Sequence, residues 1–537
     1  MRALVADPRV AICSERPCYP SAPPFNPSDA FPEWPGATLA TEDNAAYRAV
    51  RACLASLELD SGRYGTPEWN PLGEIIEPGN TVVLKPNFVA HRNAGEQAWG
   101  VTDTDCLVTH GSIVRAVMDY VALALQGRGR IIIGDCPIQG TSWESLMQMN
   151  RLDAVERYFR KAFPAIDLAI KDYRLGRAEV KGNRIVRRVV DEASRANYSE
   201  VDLKTESLLV PLMVPGYAFG VSQYARHRMV RAHTPATNKY VFPKEFLEAD
   251  VFINLPKMKT HMKAGITCAM KNLVGINGHK DYLPHFRYGS PKQGGDEYPD
   301  GNWIWDLAWY FDHCDWELDS GALKSLFHWC AFGCRGALRV LCGKPRGYFW
   351  QGGGGWHGND TLWRTVLDIN RAFLYFDPAS QAVEPRPLKS RRYLAILDGL
   401  IGGHRESPLA PSPVPSGMVL AAQNFLALDT AAAALMGCDL RKLKQVWNAY
   451  QPSRLPLATF RIQDIELLGF PQAARVQDIY QRRLYRPFEP SMGWKGHVEY
   501  FPRKDTPPPD RPDAAAVPGN AAAHEVQTPS GPASRSA

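Results

Sequence analysis

Lys257, Lys259, His261, Lys263 and Lys271 crowd into PKMKTHMKAGITCAMKN, residues 256 to 272. Ammonium groups and an imidazole at this density attract anions, and a phosphate or carboxylate suits them. Apolar periodicity predicts a strand and loop over ADVFINLPKMKTH and a helix over AGITCAMKNLVGI, whose amino end would add partial positive charge. A solvated basic face is the competing reading, but the apolar residues between the lysines, with Gly265 and Gly275, favour a site. Among such neighbours a buried lysine loses its proton readily. Lys257 and Lys259 are therefore candidate bases or nucleophiles, and His261 is a candidate proton shuttle near neutral pH.

Other chemistry-bearing residues stand where short apolar runs end. TVVLKPN ends at Lys85 and Asn87, GRIIIGDCP at Asp135, VFINL at Asn254, and LAILDGLIGG passes through Asp398. In open parallel sheets ligands gather outside the carboxyl ends of the strands, so these positions are expected to converge with the lysines. Asp135 is a candidate catalytic carboxylate; Lys85, Asn87, Asp398 and the trailing pair Lys271 and Asn272 are candidate substrate contacts. Asp135 and Asp398 together could hold a divalent cation or act as acid and base, or each could simply cap a helix. His404, Arg405 and Glu406 follow Gly402 and Gly403 in what reads as a flexible loop, with acid, base and anion-binding groups side by side. The glycine run 352–355 fits neither the P-loop nor the dinucleotide fingerprint and reads as a mobile loop before a helix starting near Asp360 or Thr361. His110 reads as a helix cap, and His279 and His285 as surface residues or metal ligands.

Positioning these residues requires alternating strands and helices. TVVLKPN, the helical GSIVRAVMDYVALAL and the apolar IIIGD form a βαβ unit, with Thr109 or Ser112 as the cap. The expected fold is α/β: an open, mostly parallel sheet with flanking helices, plus a Trp-rich helical insertion. Residues 1–45 read as an extended arm, 46–300 as an α/β domain with the lysine motif, 301–357 as the insertion, 358–504 as the continuing core, and 505–537 as a disordered tail poor in large apolar residues.

Composition narrows the class. A net charge of +6 from 62 basic and 56 acidic residues gives no basic arm for nucleic acid. No apolar run approaches the roughly 20 residues of a membrane span, and the start lacks a signal peptide, so a soluble cytoplasmic protein is expected. Eleven cysteines are too sparse for a disulfide scaffold. Cys330, Cys334 and Cys342 lack ferredoxin or zinc-ribbon spacing and read as a buried stripe on a helix, so no iron–sulfur cluster is expected. No other cofactor is specified, and neither is the oligomeric state.

VVLKPNFV, THGSIVRAV, IIIGDCPIQG, NLPKMKTHMKAGITCAMKNLVGI, GNDTLWRTVLDINR and LAILDGLIGG, spread over residues 80 to about 440, resemble the domain-of-unknown-function 362 family. The resemblance implies an α/β fold. In longer relatives with a similar PxYP…PEWP arm it implies a surface-polysaccharide context. The iron–sulfur label of some relatives does not carry over to this cysteine pattern. The leading expectation is an enzyme of unspecified reaction class acting on a small anionic substrate. The alternative is a non-catalytic protein that binds anionic glycans or lipid-linked intermediates.

Overall fold

The computed structural model describes residues 4–501 except 97–99, 182–183, 344–345 and 389, so the expected tail lies outside the described residues. A β-branched and apolar run makes β2 (Thr81–Pro86), the partner of β3 (Arg130–Asp135). Between them runs helix α2 (Gly111–Leu125), which starts where His110 Nδ1 accepts the Ser112 N–H at 3.1 Å and stops at Gln126 in the left-handed region. His110 is thus the cap. Thr109 instead donates its hydroxyl to the Leu255 carbonyl at 2.6 Å.

The main sheet has eleven strands. The others are β1 (Arg9–Ser14), β4 (Asp167–Asp172), β5 (Val251–Leu255), β6 (Lys257–His261), β7 (Gly265–Thr267), β8 (Arg392–Glu406), β9 (Ala410–Val414), β10 (Met418–Ala422) and β11 (Glu466–Leu468). Its order is β11-β1-β10-β8-β5-β2-β3-β4, and the block β8-β5-β2-β3-β4 is parallel throughout. Strand alternation feeds two apolar layers. Val82, Leu84, Ile131, Ile133 and Ile253 pack with α1 (Ala45–Ser56) and α2, while Val83, Ile132 and Phe252 pack on the other face with later helices. The fold is the expected α/β sheet with helices on both faces.

The Trp-rich stretch forms two helices, α3 (Trp303–Glu317) and α4 (Ala322–Leu341), packed on each other. Helices α5 (Leu362–Tyr375) and α6 (Phe425–Leu435) follow in the core. The glycine run is not an open loop. A Cβ at Gly352 would lie 2.1 Å from Trp309, and one at Gly354 2.3 Å from Asn359.

Several local expectations need correction. The opening segment is not wholly an arm, because Arg9–Ser14 inserts into the sheet between β10 and β11. The lysine motif does not enter a long helix. Lys257–His261 and Gly265–Thr267 are strands joined by a turn over residues 262–264 that hands on to Gly265, whose φ of 87° suits glycine, and only Ala269–Asn272 is α-helical. Strand pairing with β8 overrode the apolar periodicity, and no helix dipole faces the lysines. His404, Arg405 and Glu406 likewise lie in β8, paired with β9, rather than in a flexible loop. Cys330 and Cys334 are half-buried and Cys342 is exposed, so they are not a buried stripe.

Candidate active site

Because side chains alternate across a strand, Lys257, Lys259 and His261 leave β6 on one side, while Met258 enters the core and Thr260 bonds the Arg405 carbonyl from the other. Pro256 interrupts the pairing with β2, and β6 runs on beside β8, with Lys257 opposite Asp398 and Lys259 opposite Gly403. That register decides the partners. Lys257 Nζ sits 3.0 Å from Asp398 Oδ2 with both side chains fully buried. Tyr19, from the opening segment, donates its hydroxyl to Asp398, accepts from Lys257 Nζ at 2.8 Å and stacks on His110.

A second buried pair forms two strands away. Lys85 Nζ lies 2.8 Å from Asp135 Oδ1 and donates to Asn272 Oδ1 at 3.2 Å. Asp135 also accepts the Phe88 and Cys136 N–H groups, each at 2.7 Å. Asn272 is the hub: its amide donates to Asn254 Oδ1, and its oxygen accepts from Asn87 Nδ2 at 2.8 Å. The Asn87 oxygen is buried without a partner. Asp135 on β3 and Asp398 on β8 are separated by β2 and β5, roughly 14 Å at ordinary strand spacing. They cannot share one cation. Among the described residues no group of His, Cys, Asp or Glu converges as a metal site.

Three further lysines have no ion pair among the described residues. Lys259 is fully buried and donates to the Leu107 carbonyl at 2.6 Å. Burial pushes it down to about 7, and Lys257 and Lys271 add repulsion that Cys106 and Asp135 only partly oppose. Half-buried Lys271 is pushed down to about 7 by burial and by Lys280, Lys263 and Lys85. Half-buried Lys263, which donates to Ser222 Oγ at 2.9 Å, is pushed down to about 8 by burial.

His261 Nδ1 accepts the N–H groups of Lys263 at 3.0 Å and Ala264 at 3.2 Å. Burial and then Lys271 and Lys263 hold the ring well below the usual histidine range. The neutral ring therefore carries its proton on Nε2 and is a fixed hydrogen-bond donor, not the neutral-pH shuttle expected from sequence. A shallow cleft elsewhere, lined by Glu15, Pro415, Met418 and Arg486, contains no lysine or histidine.

Residues 216–434 match the sequence signature described as Domain of unknown function (DUF362). That segment is similar to the DUF362 family. Over 204 residues it is 23% identical to a thylakoid-associated protein of Synechocystis sp., a match covering 38% of this chain and 41% of that protein. A crystal structure of a Thermotoga maritima protein aligns over 70% of this chain and 58% of its own, at 8% identity and a TM-score of 0.27.

The DUF362 segment supplies Lys257, Lys259, His261, Lys263, Lys271, Asn272 and Asp398, whereas Lys85, Asn87 and Asp135 come from the chain before it. The fold brings Lys85, Asn87, Asp135 and Asn272 into direct contact. His404, Arg405 and Glu406 go elsewhere. His404 Nδ1 accepts the Glu489 N–H, Arg405 pairs with the Glu489 carboxylate at 2.8 Å, and Glu406 accepts the Met492 N–H. They clamp the C-terminal segment rather than reach the lysines.

Sequence reasoning missed Tyr19 and Lys280, and read His285 only as a surface residue or metal ligand. Lys280 donates to the Val274 carbonyl, and His285 is pressed well below its usual range by burial and by Lys263 and Lys271. The one available signal was that HKDYLPH follows the lysine motif directly. Tyr19 lies 238 residues from Lys257, and its place in the PxYP motif of the opening segment gives no hint of that contact.

Proposed function

We propose that this chain is an enzyme acting on a small substrate bearing a phosphate or carboxylate, in the surface-polysaccharide context the family resemblance implies. The observation that carries the reading is Lys259, a fully buried amine with no ion pair among the described residues, accompanied by the half-buried Lys263 and Lys271, which have no ion pair there either. Amines so placed either lose their protons or accept an anion, and a buried cation without a partner is costly. In this reading Lys263 and Lys271 hold the anion, His261 donates from Nε2, and neutral Lys259 is the base or nucleophile. The pairs Lys85–Asp135 and Lys257–Asp398 brace the strand ends.

Sulfate is the first probe, because it does not titrate in the working range. Its affinity should fall as pH rises from about 6 to 9, since the amines must be protonated to bind it. Calorimetry in buffers of different ionisation enthalpy should register proton uptake on binding. Undetectable binding, or equal and pH-independent affinity in wild type and Lys259→Met, would falsify the proposal.

A further inference from the structure

Two imidazoles of the lysine cluster hold their protons on opposite nitrogens. His261 Nδ1 accepts from the backbone, so its proton is on Nε2. His285 Nδ1 lies 2.7 Å from the Leu283 carbonyl, an oxygen that can only accept, so this ring carries its proton on Nδ1. Its Nε2 is left as a bare lone pair, to which no described residue donates. The ring is neutral, because burial, then Lys263 and Lys271, hold it well below the usual histidine range.

The chain fixes His285 against the cluster from two sides. Phe286–Arg287 pairs with Phe219–Gly220, and the His285 N–H donates to the Gly220 carbonyl at 2.8 Å. Two residues further on, Ser222 Oγ accepts from Lys263 Nζ at 2.9 Å, and the same Nζ stands 5.7 Å from the centre of the Phe286 ring. The glycine run backs the other side. A Cβ at Gly353 would lie 2.5 Å from Ser222 Oγ and 3.6 Å from Lys263 Nζ, and one at Gly354 would lie 3.1 Å from the His285 carbonyl oxygen. Asn359 donates to that oxygen at 2.8 Å. His285 is also close enough to His261 to lower its proton affinity.

An anion held by Lys263 and Lys271 presents lone pairs, which repel a bare ring nitrogen. The lysines in turn disfavour a ligand ammonium. A hydroxyl satisfies both constraints, because it donates to His285 Nε2 while its oxygen stays free to accept from a donor such as His261 Nε2. We propose that His285 is a substrate-binding residue that accepts a hydrogen bond from a substrate hydroxyl, so that the site takes a small hydroxylated phosphate or carboxylate rather than a bare anion. The inference rests on the anion site proposed above and names the second group its ligand carries.

Two measurements test it. In the full chain without ligand, nitrogen NMR of isotope-labelled histidine should show His285 protonated on Nδ1 with an imine-type Nε2, and His261 the reverse. A proton on His285 Nε2 overturns the proposal. The second is calorimetric titration at about pH 7.5, where a phosphate whose second pKa is about 6 is mainly a dianion without a proton to donate. Hydroxyethyl phosphate should bind wild type about fivefold tighter than ethyl phosphate, the worth of one hydrogen bond. His285→Asn keeps a donor for the Leu283 carbonyl but removes the Nε2 acceptor, so it should abolish that preference while binding ethyl phosphate and sulfate as wild type does. A preference that survives in His285→Asn, or that wild type lacks while binding ethyl phosphate, overturns the inference and leaves the anion site standing. Equal losses for both esters in His285→Asn also overturn it, since Nε2 would then be holding Lys271 rather than the ligand hydroxyl. Wild type that binds neither ester nor sulfate overturns the anion site itself and this inference with it.

Discussion

Lys259 and Lys85 are both fully buried amines, yet their substitution should have opposite consequences. Lys85 is neutralised by Asp135, so Lys85→Met strands a buried carboxylate and should cost about 3 kcal/mol of unfolding free energy. Lys259 has no such partner. Lys259→Met retains most of the stem volume, forfeits the bond to the Leu107 carbonyl, about 1 kcal/mol, and relieves an unpaired charge. Chemical denaturation of both variants reads the contrast directly: equal losses would mean that Lys259 is held by a counter-charge. Below about pH 7, where Lys259 is protonated, the same Lys259→Met protein should bind sulfate at least about tenfold more weakly than wild type, roughly the value of one charge-assisted hydrogen bond, and the difference should shrink at higher pH, where Lys259 is neutral.

At the scale of elements, the site depends on how closely the segment after Asn272 can approach β2 and β3. Gly275 crosses directly over the second ion pair, where an added Cβ would lie 2.3 Å from Asp135 Oδ1 and 2.5 Å from Lys85 Nζ. Gly275→Ala should therefore pry the pair apart and cost about 1–3 kcal/mol, as overpacking does. Its φ is not in the left-handed region, so the loss comes from the side-chain clash alone. A crystal structure of the variant with the Lys85–Asp135 distance unchanged and an unaltered melting temperature would contradict this.

For the whole molecule, the unpaired lysines couple stability to pH. Lys259, Lys263 and Lys271 titrate at about 7, 8 and 7 in the folded chain, against about 10.4 when unfolded. Above pH 7 the unfolded chain thus binds more protons, and stability rises with pH. Burial raises the thiols of Cys13, Cys53, Cys106, Cys136, Cys268 and Cys438, so above about pH 8.5 the unfolded thiols ionise first, outweigh the three lysines, and the slope reverses. Calorimetric melting of the anion-free protein should therefore climb from pH 7 to about 8.5, and added sulfate should stabilise it most at the lower end. A melting temperature that falls across this window in wild type and Lys259→Met alike would remove the lysines as its cause. The sequence by itself determined the parallel core, because β-branched runs such as TVVLKP and IIIGD and the helical periodicity of GSIVRAVMDYVALAL are local signals. It also placed Lys85, Asn87 and Asp135 at strand ends and singled out the lysine motif. Only the tertiary structure decided that KMKTH is a strand, because the backbone of β8 offers partners that no local pattern reveals. It likewise decided that Asp398 neutralises Lys257 with help from Tyr19, that His404 to Glu406 hold the segment around Glu489, and that Lys259 has no counterion among the described residues. Charge pairing inside a protein is set by strand register and long-range contact, and residues hundreds of positions apart leave no trace of it in spacing.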